Sequence, residues 1–450
     1  MTSFAIKSRS VLLPESGQSL ASLRPAILVV VDGKIHQVTT EKESKFSGEI
    51  IDVGDLVVMP GICDTHVHMN EPGRTEWEGI KTATQAAAAG GITTLVDMPL
   101  NSIPPTTHVE ALKLKRSSAG KTAYVDYGFW GGVIPGNLSD LEPLISHGVL
   151  GFKAFMIDSG VSEFPMASQE VIRESLKILA KHQVPLLVHA EFESPVKVND
   201  PSVRSYRHYL ESRPSYWEVE AIQQIIRLAQ ETGARVHIVH LSAAEAIKEI
   251  QEAKKKGLPV SAETCPHYLT LKAEEISEGE THFKCAPPIR NEKNQNLLWD
   301  GLKNGVIDFI VSDHSPCTPQ LKNLESGNFD TAWGGIAGLQ FSLPVIWTEM
   351  KSRGFSLGHL SLWMSQLTTE FLMIEGKTGR IEEGCDADLV VWDPNETFTL
   401  KESQILHRHK VTPYLGKKLS GVVKMTFVRG QKVYDEGQLK GPVGLEVKRK

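Results

Sequence analysis

The sequence predicts an α/β fold: a parallel (β/α)8 TIM-type barrel carrying a small β-sandwich domain built from both chain termini. Three observations predict it. Eight short apolar runs recur through the middle of the chain: LVVMPGICDTHVH, ITTLVDMP, YVDYGFWGG, GFKAFMI, PLLVHA, RVHIVHL, PVSAETCPHYL and DFIVSDHSP. Stretches of helical periodicity, such as EWEGIKTATQAAAAG and AIQQIIRLAQETG, separate most of them. The two ends of the chain carry strand-and-turn patterns instead. Eight β/α units over roughly three hundred residues suit a closed barrel, with an open doubly wound sheet as the other topology.

Each element follows from local chemistry. ILVVVDGKIHQV is two β-rich runs around Asp32-Gly33, and KMTFVRGQKVYDEG is two more around Arg429-Gly430; both read as hairpins. ADLVVWDP adds a strand near the second hairpin. Pairing of the two ends gives one small domain, residues 1–58 plus 375–450, around a catalytic barrel of residues 59–374. Within the barrel, Gly90 and Gly233 close helices ahead of the next strand.

Composition narrows the function. The chain has 450 residues, 41% of them hydrophobic and 23% charged, in the range of a globular protein. A net charge of −6 gives no basic field for nucleic acid or an anionic membrane. No apolar run has membrane-spanning length. The cysteines, Cys63, Cys265, Cys285, Cys317 and Cys385, are odd in number and form no CxxC pair. That argues for a reducing compartment, with the cytoplasm as the expected location.

The polar residues that break the apolar runs carry the chemistry. His66 and His68 end the first run as His-Val-His, and the two-residue repeat of a strand points both imidazoles to one side. His189 closes PLLVHA, His240 closes RVHIVHL and Asp313 follows DFIVS. Singly, each reads as a core histidine or a helix cap; together, at one end of a barrel, they read as metal ligands. Lys153 lies inside GFKAFMI. Its stem packs and its head reaches an acid, or its desolvated amine takes up CO2 to form a carbamate that bridges two cations. In this company the carbamate is the reading. Four imidazoles, one carboxylate and one carbamate hold two divalent ions, zinc first, with iron, manganese or cobalt also compatible. Such a pair supplies hydroxide for attack on an amide, and Asp313 is placed to carry the proton to the leaving nitrogen.

At this point a resemblance becomes specific. DTHVHMNEPGRTEWEG, VDMPLNSIPPTT, GFKAFMIDSG, LVHAE, HIVHLS, ETCPHYL, CAPPIR and SDHSPCTP, in that order, resemble the cyclic amidohydrolases of the amidohydrolase superfamily, and within them the allantoinase family. The resemblance spans essentially the whole chain. It implies a binuclear centre at His66, His68, carboxylated Lys153, His189, His240 and Asp313, Asp313 as acid/base, and a homotetramer. It also implies a small-molecule substrate, allantoin, whose hydantoin ring opens to allantoate. By similarity the ring amide is gripped by backbone groups near Cys285 and in Trp333-Gly334-Gly335. Asn101 and Ser315 are the candidate hydrogen-bonders, with turn chemistry as the alternative for Asn101.

Departures from relatives shape the substrate expectation. Asn70 stands where dihydroorotases carry a carboxylate-binding Arg, and Arg74 lies off that register. Asp158 stands where dihydropyrimidinases carry a Tyr donor. Cys317 is expected to be packing. The competing readings are another cyclic amidohydrolase, of dihydropyrimidinase, hydantoinase or dihydroorotase type, and a non-enzymatic scaffold of the same fold.

Overall fold

The computed structural model describes residues 3–15, 20–374 and 378–449. Each of the eight apolar runs contains one barrel strand. In chain order these are Ile62–Val67, Ile92–Asp97, Asp126–Phe129, Phe152–Phe155, Leu186–His189, Val236–Ile238, Val260–Thr264 and Phe309–Ile310. Neighbours pair in parallel. The third strand reaches the fourth through the short continuation Gly131–Gly132. Nearly every strand residue is buried, as expected where side chains fill the interior and helices cover the outside.

The ring closes between its first and last strands. The His68 N–H donates to the His314 carbonyl at 2.8 Å, and Val67 bridges His314 in parallel. Buried Asp64 ties the same seam, its carboxylate accepting from the N–H of His66 at 3.1 Å and of Ser312 at 3.0 Å. A second buried carboxylate, Asp97, accepts from Met69 N–H at 2.7 Å and pairs with Lys115 at 2.5 Å. Both acids therefore fix the backbone on either side of the His-Val-His motif.

The helices form where the periodicity places them. Gln169–His182 buries Ile172, Leu176 and Leu179 on one side, starts at a Ser168 cap that accepts from the Val171 N–H, and stops at left-handed Gln183. Ile80–Ala89 ends at Gly90 and Ser215–Thr232 at Gly233.

The chain ends build a second layer. Nine strands from both ends form one sheet, ordered Gln438–Leu439, Gln431–Asp435, Lys418–Val428, Leu389–Thr399, Val57–Pro60, Ser3–Leu13, Ser22–Val31 and Lys34–Thr39, with Glu49–Asp52 beside Ser3–Leu13. In hydrogen-bonding terms the expected sandwich is this single sheet, curled so that its far strand meets the chain ahead of Leu389: Ile35 N–H donates to the Cys385 carbonyl at 2.8 Å. Ile6, Leu28, Val58, Leu389 and Phe427 fill the curl. Both hairpins turn through two positive-φ residues, Asp32-Gly33 and Arg429-Gly430.

Two features depart from the sequence reading. LVVMPGICDTHVH holds two strands, not one: Val57–Pro60 belongs to the terminal sheet and Ile62–Val67 to the barrel. Gly61 makes the bend, because a Cβ there would come within 2.2 Å of Thr93. The basic C-terminus, moreover, returns to the barrel: Tyr127 N–H donates to Leu445 at 3.0 Å and Val447 N–H to Tyr127 at 2.7 Å. Of the expected domain boundaries, 375 falls on residues outside the described ones.

Asp388 joins the layers. Its carbonyl accepts from Gly61 N–H at 2.9 Å and its buried carboxylate from Arg429 N–H at 2.7 Å. Burial, with nearby Asp126 adding to it, pushes its pKa from 3.8 up to about 7. The unfolded chain releases that proton first, so this group's contribution to stability is present at low pH, falls as pH rises toward 7, and is flat above. Asp388→Asn should therefore gain in Tm on the parent between about pH 5 and pH 8. Melting curves at fixed ionic strength test this; a constant Tm difference across that window contradicts it.

Candidate metal centre and substrate cavity

Five of the six expected ligands lie at or just past the C-terminal ends of the barrel strands, Lys153 lies within its strand, and all six line one cavity of about 950 Å³. His66 belongs to the first strand and His68 follows it, Lys153 is in the fourth, His189 ends the fifth, His240 lies just past the sixth and Asp313 just past the eighth. Each is buried. One carboxylate oxygen of Asp313 lies 3.2 Å from His66 Nε2 and 3.6 Å from His68 Nε2. The His189 and His240 ring centres are 4.6 Å apart, and those of His66 and His240 5.4 Å. His240 and Asp313 have φ of 40° and 43°. This left-handed backbone is unusual for such residues, and it turns both side chains out of strand register.

The far sides of the rings are held. His66 Nδ1 meets Glu263 at 2.5 Å, and the other oxygen of Glu263 takes His237 Nε2 at 3.0 Å. His189 Nε2 meets Glu191 at 2.6 Å, and Arg213 donates to the same carboxylate at 2.5 Å. Burial opposes ionisation of both acids, but the imidazoles and Arg213 outweigh it and hold each at about 2. His68 Nδ1 lies 3.3 Å from the Asn101 amide nitrogen. These contacts leave His66 Nε2, His68 Nε2 and His189 Nδ1 free toward the cavity, which is how outer carboxylates orient imidazole ligands.

The inner groups lack partners. Lys153 Nζ and His240 Nδ1 are buried without a hydrogen bond among the described residues. Burial lowers the Lys153 pKa to about 7 despite Glu263 and Asp313, and lowers that of His240 well below its usual value. Burial raises and His66 and His68 lower the pKa of Asp313, which ends well below the ordinary carboxylate range. Neutral nitrogens, an ionised acid and an unpartnered amine form a donor set that fits divalent cations. His66, His68 and Asp313 lie within reach of one ion.

The expected substrate contacts separate into two groups. Asn101, Ser315, Trp333 and Gly335 line the cavity with Gly334. Cys285 stands behind the wall: its neighbours Lys284 and Ala286 line it, its thiol donates to the Pro287 carbonyl at 3.3 Å, and its carbonyl accepts from Tyr209 Oη at 2.7 Å. Asn101 combines a φ of 64° with the contact to His68, so it is both a turn residue and a neighbour of a ligand. Asp158 lines the cavity. Asn70 donates to the Pro316 carbonyl at 3.2 Å, and Arg74 is spent on Glu163 and on the face of Trp77, 5.0 Å away. Cys317 is buried.

Sequence reasoning missed Glu191, Glu263, Arg213, Lys284, Lys322 and His267. Two left a signal: Glu191 and Glu263 are acids in or just past apolar runs that already hold a candidate ligand or face one. His267, with neither ring nitrogen bonded, sits with Cys265 beside Asp313. Only the fold brings Arg213, Lys284 and Lys322 to this place.

Comparison with known proteins agrees with this geometry. A model of the amidohydrolase family matches residues 57–433. The chain belongs to the amidohydrolase family, and its cavity has the donor set of a divalent metal site. It is 48% identical to an allantoinase of Streptomyces avermitilis, over 98% of this chain and 97% of that one. It is 46% identical to an allantoinase of Arabidopsis thaliana, over 96% and 88%. Among solved structures, L-hydantoinase (dihydropyrimidinase) from Arthrobacter aurescens superposes with a TM-score of 0.92 at 29% identity, covering 100% of both chains.

Gly335 has no room for a side chain, since a Cβ there would lie 2.2 Å from the Ser315 carbonyl oxygen. Gly335→Ala should displace that wall and lower kcat/KM by about tenfold or more while metal content stays at the parent value. Steady-state kinetics beside metal analysis test this, and parent-like kinetics contradict it.

Proposed function

We propose that this amidohydrolase opens the hydantoin ring of allantoin to allantoate. Similarity at 48% identity over nearly the full length to a curated allantoinase is the observation that carries the reading. The cavity supports it: Asp158 lines the wall in place of a phenol donor, and no Arg occupies the position of Asn70.

The proposed ligands are His66, His68, His189, His240, Asp313 and Lys153, the last as its CO2 adduct, with zinc as the metal. Two such ions supply a lowered pKa for bound water and polarise the scissile carbonyl. The unpartnered Lys153 amine supports the adduct, because a carbamate replaces an unsatisfied donor with a charge that cations need. Glu263, Glu191 and Asn101 orient His66, His189 and His68. A His68 that keeps Nε2 free carries its proton on Nδ1, which calls for the Asn101 amide to be flipped so that its oxygen takes the place of the nitrogen 3.3 Å away and accepts that proton. Asp313, ionised over the working range, takes the proton of the attacking water and returns it to the leaving ring nitrogen. Ser315 Oγ, which donates to the Asp313 carbonyl at 2.9 Å, and the main chain of Trp333–Gly335 and around Cys285 hold the ring.

The structural likeness to L-hydantoinase supports a second reading, a hydantoin with a different substituent. The same reading of the chain divides it into a terminal domain of residues 1–58 plus 375–450 and a barrel of residues 59–374. It assembles the chain as a homotetramer, by similarity to the family, and places it in the cytoplasm, which the five unpaired cysteines support. No helix among the described residues is long and apolar enough to cross a membrane.

Purified protein assayed on allantoin before chelation, after it, and after added zinc tests the reading. Activity lost and restored is expected; activity untouched by removal of all metal would sink the metal centre. Metal-replete protein that opens hydantoin or dihydropyrimidine but not allantoin would move the substrate. Asp313→Asn should fold as the parent does and lose turnover by about a thousandfold or more. Thermal melts beside rate assays check that, and near-normal turnover removes Asp313 from proton transfer.

A further inference from the structure

We propose that Lys322 is a positioning residue that aims the main-chain donors of the substrate wall. The inference rests on the reading that this wall holds a ring amide.

Lys322 lies in SPCTPQLKN, beyond the last barrel strand, and is only 4% exposed. Its ammonium donates to the carbonyls of Trp333 at 3.0 Å, of Lys284 at 3.2 Å and of Gly335. An ammonium has three N–H bonds, and here all three go to main chain. No acid among the described residues pairs with it. A buried cation without a carboxylate is costly, so its retention calls for a reason beyond packing.

Peptide geometry supplies one. In a trans peptide the N–H points opposite to the preceding carbonyl. With the Trp333 and Lys284 carbonyls turned to Lys322, the N–H groups of Gly334 and Cys285 face the other way. Lys322 stands outside the cavity lining, whereas Lys284, Ala286, Trp333, Gly334 and Gly335 belong to it. The lysine is therefore behind the wall and the two N–H groups are directed to its front. The segments run side by side: a Cβ on Gly334 would sit 3.7 Å from Ala286 N, and Gly335 N–H donates to the Lys284 carbonyl at 2.9 Å. Lys284 Nζ adds a bond to the Ala332 carbonyl at 2.7 Å. One ammonium thus fixes the spacing of two donors that suit the carbonyl oxygens of a cyclic ureide.

Lys322→Met keeps the stem and removes every donor; Lys322→Gln keeps two. Assayed on whichever cyclic amide the wild type opens, both should raise KM about tenfold or more, change kcat by less than about threefold and hold parent metal content. A folded, metal-replete Lys322→Met with parent KM overturns the proposal, as does a loss confined to kcat. A second measurement needs no variant. Amide exchange of wild-type peptides covering 284–287 and 332–336 should slow when hydantoin is added, and unchanged exchange overturns the proposal. A wild type that is inert to allantoin yet protected by hydantoin at these peptides upholds the wall and moves only the substrate.

Discussion

The structure turns on one unsatisfied group, the amine of Lys153, buried in the fourth barrel strand with no acceptor among the described residues. A lysine placed there as a cation would carry a desolvation penalty of several kcal/mol without a bonded partner. Its pKa falls to about 7, which makes it a nucleophilic amine at the centre of four imidazoles and one carboxylate. Everything around it is arranged for positive charge that the protein itself does not bring. Glu263 and Glu191 brace imidazoles from behind, Asp313 stays ionised, and the backbone at His240 and Asp313 bends out of register.

The scaffold is the counterpart of that demand. A closed parallel barrel presents eight strand ends around one mouth, so ligands far apart in sequence converge without long loops. The seam at Asp64 and the Asp97–Lys115 pair then hold His66 and His68, the first two proposed ligands, to a fixed backbone. The terminal sheet lies away from the chemistry and bears on the barrel through Asp388 and the C-terminal tail. Under the proposed function, the wall of Lys284–Ala286 and Trp333–Gly335 is where one ring would be told from another, by main-chain groups whose aim depends on what fixes the main chain.

Much of this was legible in the sequence. The barrel could be read because its strands lie in short, largely apolar runs separated by helical stretches, and burial on both faces favours such runs. Five of the six cavity residues were found because each stands toward the end of its apolar run, and Lys153 because a lysine stands inside one. The double nature of LVVMPGICDTHVH was not legible, since a bend at Gly61 leaves no break in hydrophobicity. Nor was the return of the C-terminal tail to Tyr127, whose main-chain pairing and Arg116–Glu446 ion pair join residues far apart in sequence. Glu191 and Glu263 were visible as acids near ligands, but which imidazole each serves is set by strand order. Lys322 looked like an ordinary loop lysine, because its partners are carbonyls of residues up to 38 positions away.

The most direct test of this account is the metal content of the purified protein and of Lys153→Ala, counted per chain by elemental analysis. The account predicts about two divalent ions in the wild type and at most about one in the variant, with the second restored by a short carboxylic acid standing in for the carbamate. A Lys153→Ala chain that keeps the full wild-type complement unaided would contradict it.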